Sequence, residues 1–295
     1  MRFGLMEMQL NRLVPPKVDP KEAINRILNF DRGQHVRGLA QEGFSLIELG
    51  GDLSLFFPSA YQDENIDRLM VLKEDLNLTY TIHLPLWSVE PSTPLEPVRM
   101  GSVDAIVDII DAVQPLEPEV YVLHATGALA AEFYRMNLPD MAKSLALKQF
   151  QGGAISSIQI ILEETGLDSR KLAVETIEFP LELTLEMADL LDLSICLDTG
   201  HILAGFSGEV HMSEAIKACL PRLSEVHLHD STNYMETGQL GYGKDHQTLG
   251  SGALDVNSLI NQLNKANFGG PVVFELAVED ALVSLDHLKS LGVNV

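Results

Sequence analysis

The sequence predicts a closed (β/α)8 barrel, the TIM-barrel class of α/β fold, and three observations carry that expectation. Short apolar or alternating runs of strand length recur eight times along the 295 residues, with stretches of helical spacing between them. Alternation of this kind implies a parallel sheet with helical crossovers. Eight repeats suit a closed barrel, usually about 250 residues plus insertions, better than an open doubly wound sheet. No Gly-rich fingerprint follows the first run, which removes the dinucleotide-binding form of the open sheet. With no low-complexity tract, charge block or Gly/Ser linker, a single barrel domain over residues 1–295 is expected.

The strand runs fall at 3–8, 45–49, 78–83, 120–124, 172–174, 193–197, 225–228 and 271–276. The helical stretches are KEAINRILNF, ENIDRLMVLKEDL, GSVDAIVDIIDAV, SSIQIILEETG, LELTLEMADLLDL, SEAIKACL, VNSLINQLNKANF and EDALVSLDHLKSL, each with apolar residues three and four apart. GQLGYGKD at 238–245 fits a phosphate-binding loop as far as its lysine. It puts Asp245 where Ser or Thr should hold magnesium, and no helical pattern follows, so a plain loop is expected. Two longer segments, LWSVEPSTPLEPVRM after the third run and ALAAEFYRMNLPDMAKS after the fourth, are expected as loops walling a pocket, with Trp87 and Tyr134 as their large aromatic groups.

Composition narrows the function. A chain with 46% hydrophobic and 21% charged residues is globular, and no apolar run approaches the ~20 residues of a membrane span, so a cytoplasmic protein is expected. Cys196 and Cys219 sit in apolar settings and suit reduced core thiols. Lys and Arg number 20 against 42 Asp and Glu, a formal charge of −22, which argues against nucleic acid as a partner unless metal ions reverse the field locally.

The chemistry lies at the strand ends, where the carboxyl mouth of such a barrel gathers its catalytic groups. TYTIHLPL ends on His83, VYVLHATG on His124, LAVETIEFP on Glu175, and ICLDTGH on Asp198 with His201 after it. EVHLHDS carries His227 and His229, and VVFELAV ends on Glu275. A single such residue is more often a rim histidine or a helix cap. Six consecutive strands with the same break are another matter, because burying so many polar groups together costs several kcal/mol unless something joins them, and a shared metal is the simplest joining agent. Imidazole and carboxylate without sulfur suit zinc, manganese or iron in a catalytic site. His35, His211 and His287 are expected on the solvated face. Asp230 and Glu178 are expected as ordinary loop residues, with support of a ligand as the rival role.

These residues, with the downstream DHQTLGSG, resemble the xylose isomerase-like TIM barrels, the superfamily of sugar isomerases and epimerases and of the endonuclease IV type of apurinic-site nuclease (AP endonuclease family 2). The resemblance spans nearly the whole chain. It implies a core metal held by Glu175, Asp198, His227 and Glu275, with His83 and His124 holding a second ion bridged by Glu175. His201 and His246 match two ligands of a third ion, but the acidic ligand two residues before His246 is replaced by Lys244 and Asp245 is one residue out of register, which leaves that ion a ligand short. In the epimerase branch the glutamates matching Glu175 and Glu275 are acid and base, and the histidine matching His201 contacts substrate.

The phrases YTIHLPL, PEVYVLHATG, LAVETIEFP, SICLDTGH, VHLHDS and DHQTLG are similar to the cobamide-remodelling phosphodiesterases of this superfamily. The expected function is therefore divalent-metal-dependent hydrolysis of a phosphodiester in a small molecule, extending to the nucleotide loop of a cobamide. Catalytic roles fall on Glu175, Glu275 and His201, and one or two zinc or manganese ions are expected. A metal-dependent sugar (phosphate) isomerase or epimerase is the alternative, and an apurinic-site endonuclease comes third on account of the charge.

Overall fold

In the computed structural model, which describes residues 1–15 and 17–295, eight parallel strands close into one barrel in sequence order. They are β1 Arg2–Met6, β2 Leu46–Gly50, β3 Thr79–His83, β4 Tyr121–Leu123, β5 Leu172–Glu175, β6 Ser194–Asp198, β7 Leu223–His227 and β8 Pro271–Phe274. Closure is direct: Gly4 of β1 is in register with Leu46 of β2 on one side and Val273 of β8 on the other. Each predicted run overlaps one of these strands. The strands are largely apolar because they are covered inside by the barrel core and outside by helices, so no face toward solvent is needed.

All eight predicted helical stretches are helical, and two run further than the pattern implies. The helix expected at 101–113 is Glu96–Val113, and that expected at 156–166 is Asp140–Thr165. Gly152 and Gly153 hid the first half of the longer helix, since a glycine pair reads as a breaker. At Gly153 the helix passes against the backbone of Ser92 so closely that a Cβ would collide with its carbonyl. The segment 128–144 is also not a loop: Ala128–Arg135 is a helix, and Asp140 begins the next. The GQLGYGKD segment is irregular, as expected.

The helix Arg32–Gln41 has no apolar stripe in its first turn because Arg32 is fully buried there. Its guanidinium forks onto Glu7 just past β1, with Nε and Nη2 each 2.7 Å from a carboxylate oxygen, and donates a third bond to Ala60 O. This buried pair fixes the helix against the barrel mouth. No helix among the described residues is long and apolar enough to cross a membrane.

Candidate functional site

A strand turns successive side chains to opposite faces, so residues two apart share the bore. His83, Glu175, Asp198 and His227 are the last residues of β3, β5, β6 and β7, while His124 and Glu275 each follow their strand by one. One such step deeper lie Thr81, Cys196 and Glu225. The mouth is therefore a ring of ligand-type groups standing on a second polar layer, in which Glu48 of β2, Thr81 and Glu225 are fully buried.

The centre of the ring is formed by Glu175, Asp198, His227 and Glu275, all buried, whose donor atoms lie within 4.8 Å of one another. His227 Nδ1 is 3.3 Å from Glu275 Oε1, 3.5 Å from Glu175 Oε1 and 3.9 Å from Asp198 Oδ2. Neither His227 Nδ1 nor Glu175 Oε1 has a hydrogen-bond partner, although both are buried. Orphaned polar atoms of this kind are rare and call for a partner. A divalent cation between them fits, and the mixed nitrogen and oxygen donors suit zinc or manganese.

The opposite nitrogen of His227 explains its orientation. Nε2 lies 3.2 Å from Glu48 Oε2. A carboxylate only accepts, so Nε2 carries a hydrogen, and Nδ1 is the nitrogen that would give its lone pair to a cation in the cluster. Sequence reading passed over Glu48 and Glu225. The available signal was a carboxylate inside each of two short apolar strands.

A second group shares Glu175. His124 Nε2 and His83 Nε2 lie 2.9 and 3.2 Å from Glu175 Oε2, the oxygen not directed at His227. His83 Nδ1 donates to Leu84 O at 3.0 Å, which directs Nε2 inward. Together His83, His124 and Glu175 offer three donor atoms within 4.8 Å of one another. Glu175 thus stands between the two groups with one oxygen facing each.

A third trio, His201, His229 and His246, also converges within that distance, but the hydrogen-bond accounting separates its members. His229 Nδ1 accepts from the His246 backbone N–H at 2.8 Å, so Nε2 must carry the hydrogen that it gives to Asp198 Oδ2 at 2.9 Å. Both nitrogens are spoken for, and His229 orients Asp198 instead of offering a lone pair. Its ring fits only because residue 200 is glycine, where a Cβ would strike it. The other Asp198 oxygen, Oδ1, accepts from His201 N at 2.6 Å and caps the short helix Thr199–Leu203. The helix-cap role and a place in the ring are both filled by this one carboxylate.

His201 Nδ1 lies 3.2 Å from Thr176 O, leaving Nε2 as the nitrogen free for the pocket. His246 is half-exposed at the rim, with Nε2 3.4 Å from Glu275 Oε2 and Nδ1 3.0 Å from Asp245 Oδ2, while Lys244 is exposed. Asp245 therefore binds the histidine beside it. Asp230 accepts from the backbone N–H groups of Ser231, Gly250, Gly252 and Leu254, which makes it a staple for the loop after β7. Of the three histidines expected on the solvated face, His211 is exposed, but His35 is half-buried with Nε2 2.9 Å from Glu7 O, and His287 packs against Gly250.

The cluster is electrostatically self-compensating. Burial pushes the carboxyls of Glu175 and Glu275 up, but the surrounding imidazoles outweigh it and hold both well below the usual carboxylate range. Burial pulls His83 and His201 down. Glu175, Glu48 and Glu275 around His83, and Asp198, Glu175 and Glu275 around His201, lift each to about 9. Below the ring, burial and then the charge of Glu48 push the Glu225 carboxyl well above its usual value. A cavity of about 270 Å³ opens above the ring, lined by Met6, Met8, Trp87, His83, His201 and Glu275 among others.

With this geometry in hand, comparison with known proteins is informative. The family model described as "Xylose isomerase-like TIM barrel" matches residues 36–291. A protein of Mycobacterium leprae named "Probable endonuclease 4" is 26% identical over 243 residues, 81% of this chain and 87% of its own length. Among solved structures, a D-tagatose 3-epimerase-like protein aligns with a TM-score of 0.71 at 20% identity, covering 98% of this chain and 96% of its own. D-psicose 3-epimerase of Clostridium cellulolyticum H10 aligns with a TM-score of 0.68 at 15% identity over the whole of both chains. At these identities the structural likenesses speak for the fold alone.

Proposed function

This chain belongs to the xylose isomerase-like TIM barrel family, and on that premise we propose that it is a divalent-metal-dependent hydrolase of a phosphodiester in a small molecule. The observation that carries the reading is the doubling of the ligand group around Glu175. Glu175, Asp198, His227 and Glu275 suffice for one ion. His83 and His124, converging on the far oxygen of Glu175, are surplus to a one-metal enzyme and complete a second site. Zinc or manganese suits both sets, and when bound such ions clamp phosphoryl oxygens and lower the pKa of a coordinated water.

The chain's own groups complete the chemistry. His201, held through Nδ1 by Thr176 O, directs Nε2 at the substrate and in its protonated form gives the proton to the departing oxygen. Glu275 Oε2 faces the cavity rim beside His246 and orients the attacking water. Glu48 and His229 fix His227 and Asp198 in the tautomer and rotamer that the ligand set needs. The strand-end phrases similar to the cobamide-remodelling phosphodiesterases extend the candidate substrates to the nucleotide loop of a corrinoid.

A second reading, a one-metal sugar isomerase or epimerase, is supported by Glu175 and Glu275 both lining the pocket, where they can move a proton between adjacent carbons. An apurinic-site nuclease fits less well, since a formal charge of −22 opposes a polyanionic duplex. The deciding experiment incubates the protein with a panel of phosphodiesters, cobamides and ketoses, with metal content measured after mild dialysis. Phosphodiester products and two or more ions per chain are expected. Ketose epimers with one ion support the second reading, and full activity in a metal-free preparation overturns both.

A further inference from the structure

Beside the metal-binding pocket runs a larger groove of about 550 Å³ that shares Leu86, Trp87, His124 and His201 with it. Part of the remaining lining is aromatic, aliphatic or small: Val89, Ala128, Ala131, Ile177, Phe206 and Tyr242. Phe206 and Tyr242 stack at 4.8 Å and 25° and present a ring surface to the groove. Ala128 opens the helix Ala128–Arg135, and its small side chain leaves the groove room.

Charge decides what such a groove accepts. Arg135 is the one Lys or Arg in the lining, and it is already engaged: its guanidinium lies 5.0 Å over the Tyr242 ring and 3.3 Å from Glu178. Glu90, Glu178 and Asp245 also line the groove. Glu90 spends one oxygen on the backbone N–H of Leu129, and Asp245 pairs with His246. Away from the wall shared with the first pocket the lining is therefore acidic, with its one guanidinium already paired, which opposes a second anionic group, while the rings favour a flat apolar one. In size, the two connected cavities suit a ligand of two parts.

We propose that this groove is the subsite for an uncharged planar ring carried by the substrate half remote from the reacting bond. The attachment of that ring to a phosphodiester rests on the hydrolase reading. Binding of the ring itself does not.

Trp87, the only tryptophan of the chain, is exposed and lines both cavities, so its emission reports occupancy. Titration of the full-length protein with adenosine, a neutral planar probe, is expected to change Trp87 emission saturably with a Kd of about 1 mM or tighter. Ribose is expected to leave emission unchanged. Ala128→Phe, which fills the groove, and Tyr242→Ala, which removes the stacking surface, are each expected to weaken adenosine by about tenfold. The second variant keeps the test open if the first does not fold. No saturable response to adenosine, an equal response to ribose, or unchanged affinity in a folded variant overturns the proposal. Phosphodiester cleavage without adenosine binding overturns the subsite alone, whereas adenosine binding without cleavage overturns only the hydrolase reading.

Discussion

Replacing Glu48 with Gln tests how far the proposed metal-binding ring depends on the polar layer beneath it. Glu48 touches nothing in the pocket; it acts by accepting the Nε2 hydrogen of His227 at 3.2 Å and so keeps the Nδ1 lone pair on the cluster side. A hydrogen bond to an ionised carboxylate is worth about 1.5–3 kcal/mol. Gln keeps the shape and one accepting oxygen, so only part of that is lost, and substitutions of residues that orient metal ligands commonly cost 10- to 100-fold in affinity. We therefore expect zinc or manganese affinity to fall about 30-fold, or about 2 kcal/mol. Competition against a chelating dye measures the affinity, and circular dichroism checks that the fold is kept. Unchanged affinity in a folded Glu48→Gln protein would refute the orienting role of Glu48.

Glu175→Gln should lower turnover by about a thousandfold while sparing the fold, because the residue faces both ligand groups; full activity in the variant would remove the proposed site. His83→Ala should lose one bound ion per chain by elemental analysis, and an unchanged metal content favours the one-metal isomerase. The raised His83 and His201 pKa values set two opposite pH trends. In metal-free protein the ion pairs stabilise the fold fully below the unfolded histidine value of about 6.5 and are lost as pH rises through about 9, so Tm should fall across that window. Metal affinity should rise over the same window, by about tenfold per pH unit for each proton displaced. A flat profile in either measurement contradicts the protonated resting state of the ring.

What the sequence disclosed follows from the chemistry of parallel strands. Because both faces are covered, a strand such as ICLD is apolar until it reaches the mouth, and Asp198 stands out at once. Glu48 in LIELG does not, since a lone acid between Ile47 and Leu49 also fits a half-exposed strand, and only closure of the barrel turns it inward. His229 was visible as a histidine near a strand end, but its role depends on which nitrogen meets Asp198 and which meets the His246 backbone. The long helix Asp140–Thr165 was hidden by Gly152 and Gly153, and the close approach that Gly153 makes to Ser92 comes from a segment some 60 residues away. Arg32, a charge in a fully buried position, obscured the start of its helix in the same way.

The Glu48–His227 contact joins β2 to β7, strands separated around the ring by β1 and β8, across 179 residues of chain. It acts as a crossbrace through the bore, tying together walls that share no backbone hydrogen bonds. A chain that has folded only its amino-terminal or only its carboxyl-terminal strands holds one end of this brace without the other. Tight metal capture at the proposed site would thus become a gauge of barrel closure, reserved for molecules whose first and last strands have already met.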